Sequence, residues 1–183
     1  LQRGVAWDGS RFVWQSRELN AGALWQAVRN LPVISETNAP YISEINLAAP
    51  ALIQALAATL TRGAMLFIDY GFPQREYYHP QRHMGTLRAH YRHHALDDPF
   101  YLPGLCDLTA HVDFSALAQA ATQSGLQLAG YTSQASFLMN AGITDLLGLT
   151  SPDAAAAYLP QANALQRLIS PAEMGELFKV IAF

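Results

Sequence analysis

A chain of 183 residues is a single domain by length, and at 51% apolar residues it carries enough sequence for a sizeable core. Its formal charge of −3 argues against a nucleic-acid or an acidic-membrane partner. No apolar run approaches the ~20 residues needed to span a bilayer. Of the eleven basic residues only Lys179 is a lysine, and Ala and Leu abound, which suggests a GC-rich bacterial genome and a cytoplasmic protein. Cys106 is the only cysteine, so no intrachain disulfide can form and a reducing compartment is the default. The chain opens at Leu1 rather than Met, without the charged-then-apolar layout of a signal peptide, and is expected to be a piece of a longer protein.

The first element is expected to be a hairpin. Asp8-Gly9 suits a two-residue type I′ turn, pairing Val5 with Phe12 and Trp7 with Ser10. Val5, Trp7, Phe12 and Trp14 then share one face, which needs a cover from the core or from a part of the protein beyond this chain. Residues 20–30 read as a short helix closed by Pro32. Residues 44–60 read as a longer one, with Pro50 in its first turn, Ile45, Leu52, Leu56 and Leu60 at helical spacing, and Gly63 past its end. The continuous apolar run of residues 64–69 ends on Asp69, as a central parallel strand would. Helix, turn and strand make half of a βαβ unit.

From Phe72 to Thr109 little regular structure is expected, because Pro73, Pro80, Pro99 and Pro103 interrupt a run of charges and aromatics without period. A connection this long in a compact domain is usually functional or disordered, and its aromatic and leucine content argues against disorder. Asp113 is placed to cap a helix whose buried stripe is Phe114, Leu117, Ala118 and Ala121, with Gly125 at its end. Residues 126–133 read as a strand, 154–169 as an amphipathic helix and 177–183 as a closing buried strand. There is no internal repeat.

The chemistry concentrates between residues 64 and 114. In open α/β sheets ligands bind outside the carboxyl ends of strands, which is where Asp69-Tyr70-Gly71 falls. Asp69 either orients a bound group there, with Gly71 admitting close backbone approach, or satisfies amides in a sharp turn. His79, His83, His90, His93 and His94 invite a metal, yet His90 and His94 lack the Glu of an H-E-x-x-H motif and no Cys pair is near. Solvated loop histidines fit this stretch better.

Gly85-Thr86-Leu87-Arg88 with Tyr91 offers a hydroxyl, a guanidinium for a carboxylate and a ring for a flat cation, or else a lid folding on its own side chains. Asp107, Thr109, His111 and Asp113 alternate along an extended segment, so His111 and Asp107 could form a proton-accepting pair, with a structural histidine as the alternative. No Gly-x-Ser-x-Gly elbow is present, which argues against a covalent hydrolase.

The segments IDYG, GTLRAHYRHH, DLTAHVDFSALAQAA, SGLQLAGYTSQASFLMNAGI and MGELFKV occur in this order. Together they resemble the MidA-type S-adenosylmethionine-dependent methyltransferases, whose mitochondrial members are complex I assembly factors. The resemblance covers most of residues 44–183, leaving 1–43 as a hairpin and connecting helix ahead of it. It implies an α/β fold: the carboxyl-terminal half of a doubly wound, Rossmann-like sheet with an antiparallel last strand and a long insertion. It also implies S-adenosylmethionine as cofactor and a protein arginine as substrate, with a respiratory-complex subunit as a partner.

The family's glycine-rich loop and its acidic Asn-Glu segment have no counterpart here, since the twelve glycines contain no Gly-x-Gly pair. Most of the cofactor site is therefore expected in the amino-terminal half of the parent protein, itself a partner of this piece. On that view Asp69, Asp107 and His111 line the acceptor side. Tyr70, Gly71, Gly85, Thr86, Arg88, Tyr91 and Thr109 contact substrate. The alternative is a non-catalytic assembly protein that keeps the fold for partner binding. A metal hydrolase built on the histidines is a third reading, and it would need bound zinc.

Overall fold

A computed structural model describes residues 1–31 and 40–183. In chain order, the first elements are β1 (Gln2–Trp7), β2 (Phe12–Arg17), α1 (Gly22–Arg29), α2 (Ala48–Thr59), β3 (Leu66–Phe72) and α3 (Gln74–Tyr77). A 3-10 turn at Pro80–Arg82 precedes β4 (Arg88–Tyr91), β5 (His94–Leu96), β6 (Asp107–Thr109) and β7 (Val112–Asp113). The remainder is α4 (Phe114–Gln123), β8 (Gly130–Ser133), α5 (Gln134–Asn140), α6 (Ile143–Gly148), α7 (Ala155–Ile169), α8 (Met174–Leu177) and β9 (Phe178–Ala182). These elements form two compact units, Leu1–Ala48 with Gln74–His111 and Ala49–Pro73 with Val112–Phe183. By this division the long insertion falls in the same unit as the amino-terminal hairpin.

The second unit is built on a four-stranded sheet of order β7-β3-β9-β8. β3 runs parallel to β7, whereas β9 is antiparallel to both β3 and β8. The closing strand is therefore antiparallel, as the family resemblance implied. On one face Phe67 of β3 packs on a core of Ile53, Phe114, Leu117, Ala120, Ala121, Ile181 and Phe183, supplied by α2, α4 and the end of the chain. Burying a side chain such as Phe114, 2% exposed, is worth about 1.5–3 kcal/mol. Val180 alternates to the opposite face and is buried there, where α5 and α8 lie against β9. Helices on both faces make the sheet doubly wound.

α4 forms as its sequence predicts. The Asp113 carboxylate accepts from the main-chain nitrogens of Ser115 and Ala116 at 3.0 and 3.2 Å, and Ala120 joins the predicted stripe. α2 begins at Ala48, four residues later than expected, with Pro50 in its first turn. Its buried residue is Ile53, while Leu52 is 54% exposed. Glu44 and Ile45 lie ahead of the helix, since the Glu44 carboxylate is engaged elsewhere. β8 keeps only the last four residues of the expected strand. α5 and α6, which periodicity did not reveal, follow it; each is under two turns, too short for a repeat to register.

In the first unit the hairpin register differs from the expectation by two residues. Val5 faces Trp14 and Trp7 faces Phe12, so the loop spans residues 8–11 rather than Asp8-Gly9. The reason is Asp8, whose side chain accepts from the main-chain nitrogens of Ser10 and Arg11 at 2.8 and 2.9 Å and closes an Asx-type turn. A two-residue shift preserves the faces, so the four apolar side chains still lie together. Phe100 provides part of their cover, with ring centroids 4.9 Å from Trp14 and 6.4 Å from Phe12.

The stretch expected to lack regular structure holds a three-stranded sheet of order β5-β4-β6. Its strands have three or four residues, and its hairpin turns on Arg92 and His93 at φ 48° and 67°, not on Asn-Gly. Pro32, expected to close the first helix, lies outside the described residues.

Candidate functional site

Asp69, Tyr70 and Gly71 belong to β3 in the sheet unit. Asp69 is exposed, and its carboxylate accepts from the main-chain nitrogen of Tyr70 at 2.8 Å, so its local structural role is filled. The Tyr70 ring meets Phe178 of β9 edge-on at 5.6 Å. Gly71 is buried opposite Val112 of β7, and a Cβ there would run into the Val112 backbone. Gly71 therefore permits the close approach of β3 to β7.

The other candidates belong to the first unit. Thr86 is 7% exposed, and both its main-chain nitrogen and its hydroxyl donate to the Glu44 carboxylate, at 2.9 and 3.1 Å. The main-chain nitrogen of His111 donates in turn to the Thr86 hydroxyl at 3.0 Å. Gly85, at φ 75°, keeps the space a Cβ would take from the Glu44 carboxylate. Gly85 and Thr86 thus hold the backbone of this turn together.

Across β4 and β6, Asp107 sits opposite His90, and the His90 imidazole Nε2 is 3.1 Å from the Thr109 hydroxyl. The side-chain pairing here is His90 with Thr109, in place of the expected His111 with Asp107. Asp107 is exposed and His111 half-buried just beyond the end of β6. Arg88 is also exposed, with Nε 3.3 Å from Asp97 and Nη1 donating to the Leu87 carbonyl at 2.9 Å. Tyr91 meets Tyr101 edge-on at 6.0 Å, and the Arg92 guanidinium lies 5.2 Å from its ring centre. A cation does use this ring, and it comes from the same chain.

Among the described residues no group of three or more His, Cys, Asp or Glu side chains converges as metal ligands. The His79 ring instead accepts from the main-chain nitrogen of Gln81 at 3.3 Å.

One residue escaped the sequence reading. Glu44, expected to open the helix of residues 44–60, instead binds the turn at Gly85-Thr86. The available signal was an acidic residue in an otherwise apolar approach to α2, facing a Gly-Thr pair whose amides need acceptors.

A family model described as "Putative S-adenosyl-L-methionine-dependent methyltransferase" matches residues 1–132. The chain belongs to this family, the MidA-type methyltransferases. The match begins at residue 1, so the family pattern takes in the hairpin and α1 as well as the segments after Glu44. The mitochondrial protein arginine methyltransferase NDUFAF7 of Danio rerio is 34% identical over 142 residues, which is 74% of this chain and 31% of the relative. The Rattus norvegicus protein of that name is 36% identical over 138 residues, 73% of this chain and 30% of the relative. A Burkholderia thailandensis crystal structure bound to S-adenosyl-homocysteine is 51% identical with a TM-score of 0.91, covering 99% of this chain and 46% of the other. The chain thus spans about a third of the length of these curated relatives and under half of that solved chain.

Among the described residues the glycine-rich turn of a MidA-type cofactor cradle is not formed. A methionine and ribose site needs backbone amides presented by a glycine-rich turn, plus an acid for the ribose hydroxyls. Here the one glycine at the carboxyl end of β3 is filled by Val112, and no Gly-x-Gly pair exists in the sequence.

Proposed function

We propose that these residues are the carboxyl-terminal, acceptor-side part of an S-adenosylmethionine-dependent methyltransferase that modifies a protein arginine. The observation that carries the reading is the sheet. A parallel β3 beside an antiparallel closing strand superposes on a protein bound to S-adenosyl-homocysteine, at 51% identity and a TM-score of 0.91. The arginine comes from the names of relatives about a third identical to this chain.

A guanidinium acceptor is a delocalised cation that must present one nitrogen in line, so its site needs carboxylates that fix its plane. Asp69 on β3 and Asp107 on β6 are exposed carboxylates suited to that task, and His111 follows Asp107 just past the end of β6. Tyr70, Arg88, Tyr91 and Thr109 are assigned to contacts with the acceptor polypeptide. A respiratory-complex subunit in a reducing, cytoplasm-facing setting is the first acceptor to try.

The test is radiolabelled methyl transfer to a partner protein by the full-length parent, with cofactor binding measured in parallel. Asp69→Ala and His111→Ala should lower kcat and kcat/KM together by about ten- to a hundred-fold, the loss of one charge-assisted contact, and leave cofactor affinity nearly unchanged. His94→Ala, at the exposed start of β5, should do little. Near-normal rates in both mutants, or cofactor affinity falling as far as the rate, would remove the acceptor-side assignment.

A scaffold role is the second reading, and it draws on the hairpin, where Val5 and Trp7 remain 57% and 59% exposed. It predicts partner capture that survives Asp69→Ala but not Trp7→Ala.

A further inference from the structure

Glu44 lies outside every helix and strand, yet its carboxylate accepts three hydrogen bonds. They come from the Thr86 main-chain nitrogen at 2.9 Å, the Thr86 hydroxyl at 3.1 Å and the Leu87 main-chain nitrogen at 3.2 Å. The segment carrying it is tied down beside the same turn, where the Ile42 main-chain nitrogen donates to the His83 carbonyl at 2.7 Å. An ionised carboxylate can only accept, so the single hydroxyl proton of Thr86 is committed to Glu44. The lone pairs of that oxygen are then turned outward, and the His111 main-chain nitrogen donates to one of them at 3.0 Å. Glu44 therefore sets the polarity of the hydroxyl that anchors the backbone of His111.

We propose that Glu44 is a positioning residue for His111, acting through Thr86. The functional weight of this rests on His111 being an acceptor-side group, as proposed above; the geometric claim does not. A neutral amide at position 44 keeps one acceptor but adds a donor that faces the donors of Thr86 and Leu87. It also frees the Thr86 hydroxyl proton to compete with the His111 N–H. A serine at 86 preserves the relay, and a valine removes it while leaving the main-chain bonds to Glu44 in place.

Residue-resolved amide hydrogen exchange, with the His111 ring nitrogen shifts recorded alongside, tests the relay without any need for turnover. Glu44→Gln and Thr86→Val should each speed exchange at the His111 amide by about tenfold, the loss of one net hydrogen bond. The double variant should be no faster than Thr86→Val alone, because both changes break one path. Thr86→Ser should restore the wild-type rate, and the ring shifts should move in Glu44→Gln but not in Thr86→Ser.

Faster exchange at Thr86 and Leu87 with His111 unchanged would overturn the proposal, as would additive effects in the double variant. If Glu44→Gln loosens amides in α4 equally, Thr86→Val decides alone, and an unchanged His111 amide there sinks the relay. A working relay in a protein whose His111→Ala variant still transfers methyl groups normally would count against the functional reading only.

Discussion

Two residues do structural work that a mutation can measure directly. Gly71 faces Val112 with no space for a side chain, so Gly71→Ala forces β3 and β7 apart. Overpacking of this kind typically costs about 1–3 kcal/mol, to be read as a lower urea midpoint at unchanged slope. Asp113 carries two opposed effects: burial pushes its carboxyl above the ordinary value of 3.8, and the amides of Ala116 and Ser115 pull it back. Because the net shift is upward, its favourable contribution is complete below 3.8 and fades as pH rises through the raised native value. Asp113→Asn keeps an accepting oxygen and cannot ionise, so it should gain on the wild type as pH rises through that window. Asp113→Ala removes the cap at every pH and should lower stability by about 0.5–2 kcal/mol. Denaturant melts of the three proteins at pH 3.5 and 7 check both the size and the sign.

At the scale of elements, the turn joining β4 and β5 is the place where local sequence and conformation disagree. Arg92 and His93 both take positive φ, which L residues with a Cβ adopt at a cost of roughly 1 kcal/mol or more each. Replacing the pair with Asn-Gly should raise the melting temperature by a few degrees. An unchanged or lower value would mean that the Arg92 contact with Tyr91 outweighs the strain.

The same turn explains what the sequence concealed. Elements with one strong local signal were legible: the capped stripe of α4, the helix of residues 155–169, and the apolar runs of β3 and β9. The β5-β4-β6 sheet was not, because its strands are too short for alternation to register and its turn uses residues that usually avoid it. At the candidate site, Asp69 was expected to end its strand with Gly71 just beyond it, whereas β3 runs on to Phe72; the Thr86 clasp was hidden because its acceptor, Glu44, is 42 residues away.

At the scale of the whole molecule, among the described residues Leu66 and Ile68 of β3 are 48% and 44% exposed, on the face of their sheet opposite Phe67. Apolar burial is worth roughly 25 cal/mol per Å², so covering two such side chains gains on the order of 1 kcal/mol or more per copy. Residues 1–183 produced alone should therefore associate with rising concentration in sedimentation velocity, and Leu66→Thr with Ile68→Thr should reduce it. A monodisperse monomer across the range would show that this face needs no cover.

The cofactor provides the more searching test of how the work is divided along the parent chain. Binding S-adenosylmethionine takes amides for its carboxylate, and among the described residues Gly71 is filled by Val112 while the sequence holds no Gly-x-Gly turn. Titration calorimetry of residues 1–183 with S-adenosyl-homocysteine should give no measurable heat of binding at micromolar concentrations. The full-length parent should bind under the same conditions, and its affinity should survive Asp69→Ala and His111→Ala. Micromolar affinity in the isolated residues would move the cofactor site into this part of the chain and require the acceptor-side roles of Asp69, Asp107 and His111 to be reassigned.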